Sequence, residues 1–146
     1  MARRPVSLSI EGVDGVADVL GNLGPREARN LLRSAIHGVA AKVREEIRAR
    51  APRDEGILSR AIVAKRERIQ GDRVASNVTI THGHGVKNDA YYWHFIEYGT
   101  VKMRARPFVR PAVEAMRPQL QGVFEREFRA KFERMMQRKL RAAVKK

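Results

Sequence analysis

Apolar residues recur along this chain with two periods, and the change from one to the other marks out its elements. Val6, Leu8 and Ile10 alternate with Ser7, Ser9 and Glu11, the period of two that predicts a half-buried strand over residues 5–11. Asp14 then caps a helix of two turns at most through Val16, Val19 and Leu20, which Gly21, Asn22 and Gly24 bring to a stop. Pro25 suits a first helical position because its missing N–H would be unpaired there. After it Ala28, Leu31, Leu32, Ala35, Ile36, Val39, Val43 and Ile47 recur at steps of three and four, so one amphipathic helix is expected over 26–50. Pro52 ends it, since the residue before a proline is pushed out of helical geometry. Arg26, Arg29, Arg33, Arg44 and Arg48 occupy the opposite face.

Residues 57–69 carry Ile57, Leu58, Ile62 and Val63 and then a charged run, a pattern that helix and strand both satisfy. The next segment decides for a strand: Val74, Val78 and Ile80 alternate with polar residues, and Gln70-Gly71-Asp72 is a turn that joins the two as a hairpin. Gly83 and Gly85 end the second strand, and Lys87-Asn88-Asp89 reads as an exposed loop. Residues 91–98 are almost all aromatic or aliphatic, which predicts a short buried helix closed by Gly99. Pro107 and Pro111 keep the following segment extended. From Pro111 the positions Val113, Met116, Leu120, Val123, Phe124, Phe128, Phe132, Met135, Met136 and Leu140 predict a last helix to about 142, kinked or divided at Pro118. Beyond about residue 126 it exceeds what a small core needs, so its Phe and Met stripe is expected to be buried against a neighbouring subunit. The expectation is an α+β fold: two long helices (26–50 and 111–142) packed on a small antiparallel sheet, with the short buried helix at about 90–98. One domain spans 1–125, and 126–146 form a basic helical extension.

At 146 residues the chain suits a single domain, and 43% hydrophobic residues are enough for a real core. Charge changes the picture most: 30 Lys and Arg stand against 16 Asp and Glu, a net +14. Residues 126–146 hold nine basic and two acidic groups, and residues 25–53 hold eight and three. Solvated helix faces account for individual arginines, but the lopsided sign implies a polyanion among the partners. There is no cysteine, which excludes disulfides and thiolate metal sites. No apolar run approaches the roughly 20 residues of a membrane span, and the start lacks a signal-peptide core, so a soluble protein made in the cytosol is expected.

Candidate chemistry is sparse. His82 and His84 flank Gly83, with His94 and Glu97 further on, but no third ligand follows at a diagnostic metal spacing. His94 and Glu97, three apart, suit a structural hydrogen bond. Asp54-Glu55 and Asp72 do not form the carboxylate cluster of a metal-dependent nuclease. There is no nucleophile elbow and no phosphate-cradling glycine loop, so neither an enzyme nor a cofactor is expected. Zinc fingers, RRM-type aromatics, GXXG loops and helix-turn-helix pairs are missing too, so the basicity is of the kind that contacts phosphates without reading sequence.

The segment Tyr92-Trp93-His94-Phe95-Ile96-Glu97-Tyr98-Gly99-Thr100, followed by Arg106-Pro107-Phe108-Val109-Arg110-Pro111-Ala112, resembles the signature of the tail-component or neck proteins of lambdoid siphophages, often labelled gene-product-ten-like. Members of that family look like Y-x-H-F-[VI]-E-[FY]-G-T and then A-R-P-F-[LV]-R-P-A. Upstream, Ala51-Pro52, Gly56, Leu58 and Ile62 resemble the family's A-P…T-G-x-L-x-x-S-I, with Glu55 where threonine is usual and Ala61 where serine is usual. The likeness covers roughly residues 25–125. It implies a subunit of the phage neck that is made in the host cytoplasm and incorporated in the virion. It also implies a homo-oligomeric ring, of six by the family's geometry. Neighbouring neck, tail-terminator and head-completion proteins would be its partners, with phage DNA passing through. In this picture Tyr92, Phe95, Ile96, Tyr98 and Phe108 build the core under the long helices, and Glu97 pairs with Arg106 or Arg110. Lys102, Arg104, Arg129, Lys131, Arg134, Arg138, Lys139 and Arg141 would then meet DNA in the channel or an acidic partner. A free-standing, non-specific nucleic-acid binder is the competing expectation. It would hold duplex DNA as a monomer in low salt and release it steeply as salt rises.

Overall fold

One long helix organises the chain. The computed structural model describes residues 14–53, 56–71 and 73–145, so the strand expected over 5–11 lies outside the described residues. After α1 (Asp14–Gly21), helix α2 (Pro25–Arg50) buries Leu31, Ala35, Val39, Ala40, Val43 and Ile47 along one stripe. It starts on Pro25 and ends with Ala51 in extended geometry before Pro52, its N–H still bonded to the Ile47 carbonyl at 3.0 Å.

The two strands and the last two α-helices pack on α2. Pro118 divides the last helical region as expected: α5 (Val109–Met116), a 3-10 turn (Arg117–Gln119), then α6 (Leu120–Val144). α6 runs antiparallel to α2. Its Glu127 lies where a Cβ on Gly38 would sit, and Lys139 Nζ reaches Glu27 Oε2 at 2.7 Å near the start of α2. Phe124, Phe128 and Phe132 line this seam with ring centroids 6.0 and 6.5 Å apart. The stripe from Phe128 to Met135 is therefore covered by the chain itself, contrary to expectation. Phe128 is buried, and Phe132 and Met135 pack against the core. The reason is length: α2 has 26 residues to α6's 25 and covers the stripe to its own N-terminus. Met136 stays partly open beside the seam, and Leu140 and Val144 at the end of α6 stay exposed.

Residues 57–69 are not one strand. Gly56, at φ +70°, turns the chain into α3 (Ile57–Ala61), a single turn that buries Leu58 and Ala61, three apart, on one side. Only then does β1 (Ile62–Arg66) begin, antiparallel to β2 (Ser76–Ile80), with Ile62 opposite Ile80 and Ala64 opposite Val78. The hairpin is as expected, with Gln70 and Arg73 bridging its turn. Arg48 of α2 donates to the Ile62 carbonyl through Nε at 3.1 Å and Nη2 at 2.8 Å, tying the helix to the strand start.

On α2, His37 is partly buried and faces Arg66 of β1, Arg44 of its own helix and Lys131 of α6. Desolvation first, and then repulsion from Arg66, Arg44 and Lys131, holds its pKa below the ordinary 6.5. The folded state thus prefers the neutral ring. The stability this contributes is complete above the ordinary histidine pKa and is lost as pH falls through the folded value. Melting curves of the wild type are expected to show such an acid-side loss, and those of His37→Gln a shallower one. Truncating the seam is expected to cost much more: Phe128→Ala about 3–5 kcal/mol by urea unfolding, against less than about 0.5 kcal/mol for the exposed Leu140→Ala.

Candidate functional site

The segment from Tyr91 to Pro111 is built around one buried carboxylate. Helix α4 (Trp93–Tyr98) turns Trp93 and Ile96 toward the core and buries Glu97 to 5% exposure, three and four residues along the same face. Glu97 Oε2 accepts the main-chain N–H of Phe108 at 2.7 Å and of Val109 at 3.0 Å, and Oε1 accepts that of Arg110 at 3.1 Å. These are the amides that the start of α5 would otherwise leave unpaired. Pro111 has no N–H to satisfy, and Ala112 N–H already bonds the Phe108 carbonyl at 3.3 Å. One side chain from a separate helix therefore completes the cap of α5, and it explains why that helix begins at Val109 rather than Pro111.

The expected pair of Glu97 with Arg106 or Arg110 does not form; both arginines are exposed. The physical reason is competition. A helix start presents converging donors at the positive end of its dipole, whereas a guanidinium would have to be desolvated to reach the same buried oxygens.

The chain between the two helices is closed by further contacts. Gly99 adopts φ +75° and ψ 176°, and a Cβ there would lie 2.7 Å from Ala105 N and 2.9 Å from Met103 O, so only glycine fits. Thr100 N–H donates to the Met103 carbonyl at 2.8 Å, and Thr100 Oγ1 accepts from Met103 N–H at 3.1 Å and Lys102 N–H at 3.3 Å. Arg106 N–H returns to the Ile96 carbonyl at 2.8 Å. Upstream, Asp89 Oδ1 accepts from Gly83 N–H at 2.9 Å and Tyr91 N–H at 3.1 Å, setting the entry to α4.

Not every aromatic expected in the core lies there. Phe108 is 1% exposed and Tyr92 and Ile96 pack on the core, but Phe95 is 50% exposed and Tyr98 63%. Tyr91, Phe95 and Tyr98, spaced by four and three, fall on the outer face of the α4 turn, opposite Trp93 and Ile96. That spacing was readable in the chain: a helix closed by Gly99 and buried on one face must expose the other. The loop beyond α4 is exposed from Thr100 to Pro107, including Lys102, Arg104 and Arg106.

The basic residues form two groups on separate elements. Lys131, Arg134, Arg138 and Arg141 recur at steps of three and four along α6 and Lys145 follows at its C-cap, with Arg129 exposed beside them. Arg138 lies about 27 Å along the helix from Leu120. Lys131 is 3.9 Å from Glu127, and Lys139 is bound to Glu27. His94 packs its ring 3.8 Å from Trp93 and edge-on to His82 at 6.0 Å. Among the described residues, no group of three or more His, Asp or Glu is placed to hold a metal ion. Asp54, Glu55 and Asp72 lie outside those residues.

Fold and site together define a small α+β protein that holds a braced loop and an aromatic face out to solvent. Residues 14–99 match the HK97-gp10-like family, described as "Bacteriophage HK97-gp10, putative tail-component", and with more than half of its length matched the chain belongs to that family. The match takes in α1 to α4 and Glu97, while the α5 amides that Glu97 holds lie beyond it. No curated protein and no solved structure matches the chain. Membership points to a bacteriophage tail component, and so to the virion and its other structural proteins as surroundings. Among the described residues no helix is long and apolar enough to cross a membrane.

Glu97→Gln, which turns an amide donor toward converging N–H groups, is expected to cost on the order of 2–3 kcal/mol in urea unfolding. Arg106→Ala and Arg110→Ala should each stay within about 0.5 kcal/mol and show no coupling to Glu97. Arginine variants as damaging as the Glu97 variant would contradict the assignment.

Proposed function

We propose that this chain is a non-enzymatic structural subunit of the phage head–tail junction, a neck or tail-completion protein that forms a homo-oligomeric ring around the DNA channel. The observation that carries the reading is the exposed apolar and basic surface held on a stapled frame, in a chain of a phage tail-component family. A monomer gains nothing from bracing a loop that exposes Val101 and Met103 to water; an assembly does. Rings close when one patch of a subunit meets a different patch on the next. The resemblance of the Tyr92 to Pro111 segment supports six copies, with neck, tail-terminator and head-completion proteins above and below. The α6 cations suit phage DNA passing through, since they contact phosphates without reading sequence.

That same α6 stripe favours one other reading, a free-standing non-specific nucleic-acid binder. The two separate cleanly. A phage deleted for this gene is expected to accumulate unjoined heads and tails, and the purified chain to hold duplex DNA only weakly. Deletion particles that join normally, together with tight, salt-sensitive DNA binding by the monomer, would overturn the ring.

A further inference from the structure

The loop between α4 and α5 alternates in a way the ring reading does not use. Val101, Met103 and Ala105 are apolar, while Lys102, Arg104 and Arg106 between them are basic, and all six are exposed. Val101 is fully exposed. Beside the loop stand Phe95 and Tyr98 on the outer face of α4, joined to it through Gly99, whose α-carbon packs against the Met103 to Ala105 backbone. The result is one surface with an aromatic and aliphatic part and a basic part. Between Tyr98 and Val113 there is no acidic residue, and the one carboxylate at its base, Glu97, is occupied by main-chain N–H groups. Among the described residues no ion pair reaches the three cations.

We infer that this surface, Phe95, Tyr98 and residues 101–106, docks an acidic protein surface with an apolar centre, on a different chain of the same particle. The inference rests on the structural role proposed above. Apolar side chains gain nothing from phosphates, so duplex DNA matches only half of the surface, whereas a protein face with carboxylates around an apolar patch matches both halves. A second copy of this chain is a poor complement because it carries a net charge of +14, and among the described residues several of its acids are already paired internally. Glu27 is paired with Lys139, Glu45 with Arg44 and Arg48, Glu46 with Arg50, and Glu127 with Lys131. Glu114, Glu125 and Glu133 remain exposed but are spread over α5 and α6 rather than gathered in a patch. The net +14 and this scatter point to another protein as the source of the complementary charge.

The test uses the deletion phage complemented with full-length variants, and the same variants purified. One reverses charge, Lys102→Glu with Arg104→Glu and Arg106→Glu; one removes the apolar part, Val101→Ser with Met103→Ser; a control keeps charge, Lys102→Arg with Arg104→Lys and Arg106→Lys. All of these side chains are exposed, so thermal melting and the self-association measured by light scattering are expected to equal wild type. Charge reversal and apolar removal should each cut the yield of infectious particles about tenfold or more, and the control should not. Wild-type yield from the charge-reversed chain, with the deletion phage dead, overturns the docking surface and leaves the structural role standing. Loss on charge reversal but not on apolar removal makes the ligand DNA phosphate and overturns it too. Altered self-association makes the occupant a second copy, again against the inference. Full yield from the deletion phage itself would refute the structural role, and the docking surface with it.

Discussion

Three backbone N–H groups converging on one buried carboxylate hold the functional end of this protein together. Without Glu97 the first turn of α5 would bury amides that have no acceptor, and each unpaired group costs on the order of 1–3 kcal/mol. With it, α4 and α5 are fixed to each other across the loop, and Phe108 between them can be fully buried. The staple also explains the composition of the segment. Pro111 stands at the one early position of α5 where an N–H would find no place on the carboxylate, and Gly99 stands where a side chain would strike the returning loop.

A loop braced in this way has lost its conformational freedom before any partner arrives. Ordering a flexible loop at an interface costs about 0.5–1.5 kcal/mol for each immobilised side chain, and preorganisation removes much of that. The remainder of the fold serves the same end. α2 carries α5, α6 and the β hairpin on one stripe, and Arg48 fastens the hairpin to it, so the loop projects from a rigid base. The α6 cations lie on a different element, so the chain presents the loop and the basic stripe as separate surfaces.

Much of this was legible in the chain and some was not, for identifiable reasons. Periods of three and four located α2 and α6 to within a few residues, because both helices bury long stripes, and Pro118 announced the break between α5 and α6. The hairpin followed from alternation and from its turn residues. The single turn of α3 was missed because five residues are too few for a period to declare itself, and Gly56 alone marks it. The sequence points to an arginine partner for Glu97, since side-chain charge is visible in a sequence and main-chain N–H groups at a helix start are not. Phe95 and Tyr98 were placed in the core from their apolarity; the face they occupy is set by Trp93, Ile96 and Glu97 turning inward. That α2 lies antiparallel alongside Phe128, Phe132 and Met135 and covers them is nowhere visible in the sequence.

Amide hydrogen exchange of the free chain, read residue by residue, bears on the staple most directly. If the carboxylate holds the start of α5, the amides of Phe108, Val109 and Arg110 exchange as slowly as those in the middle of α2 while Arg104 and Ala105 exchange freely. Exchange of all five at the same fast rate would mean that the loop is not preformed, and the account built on Glu97 would be wrong.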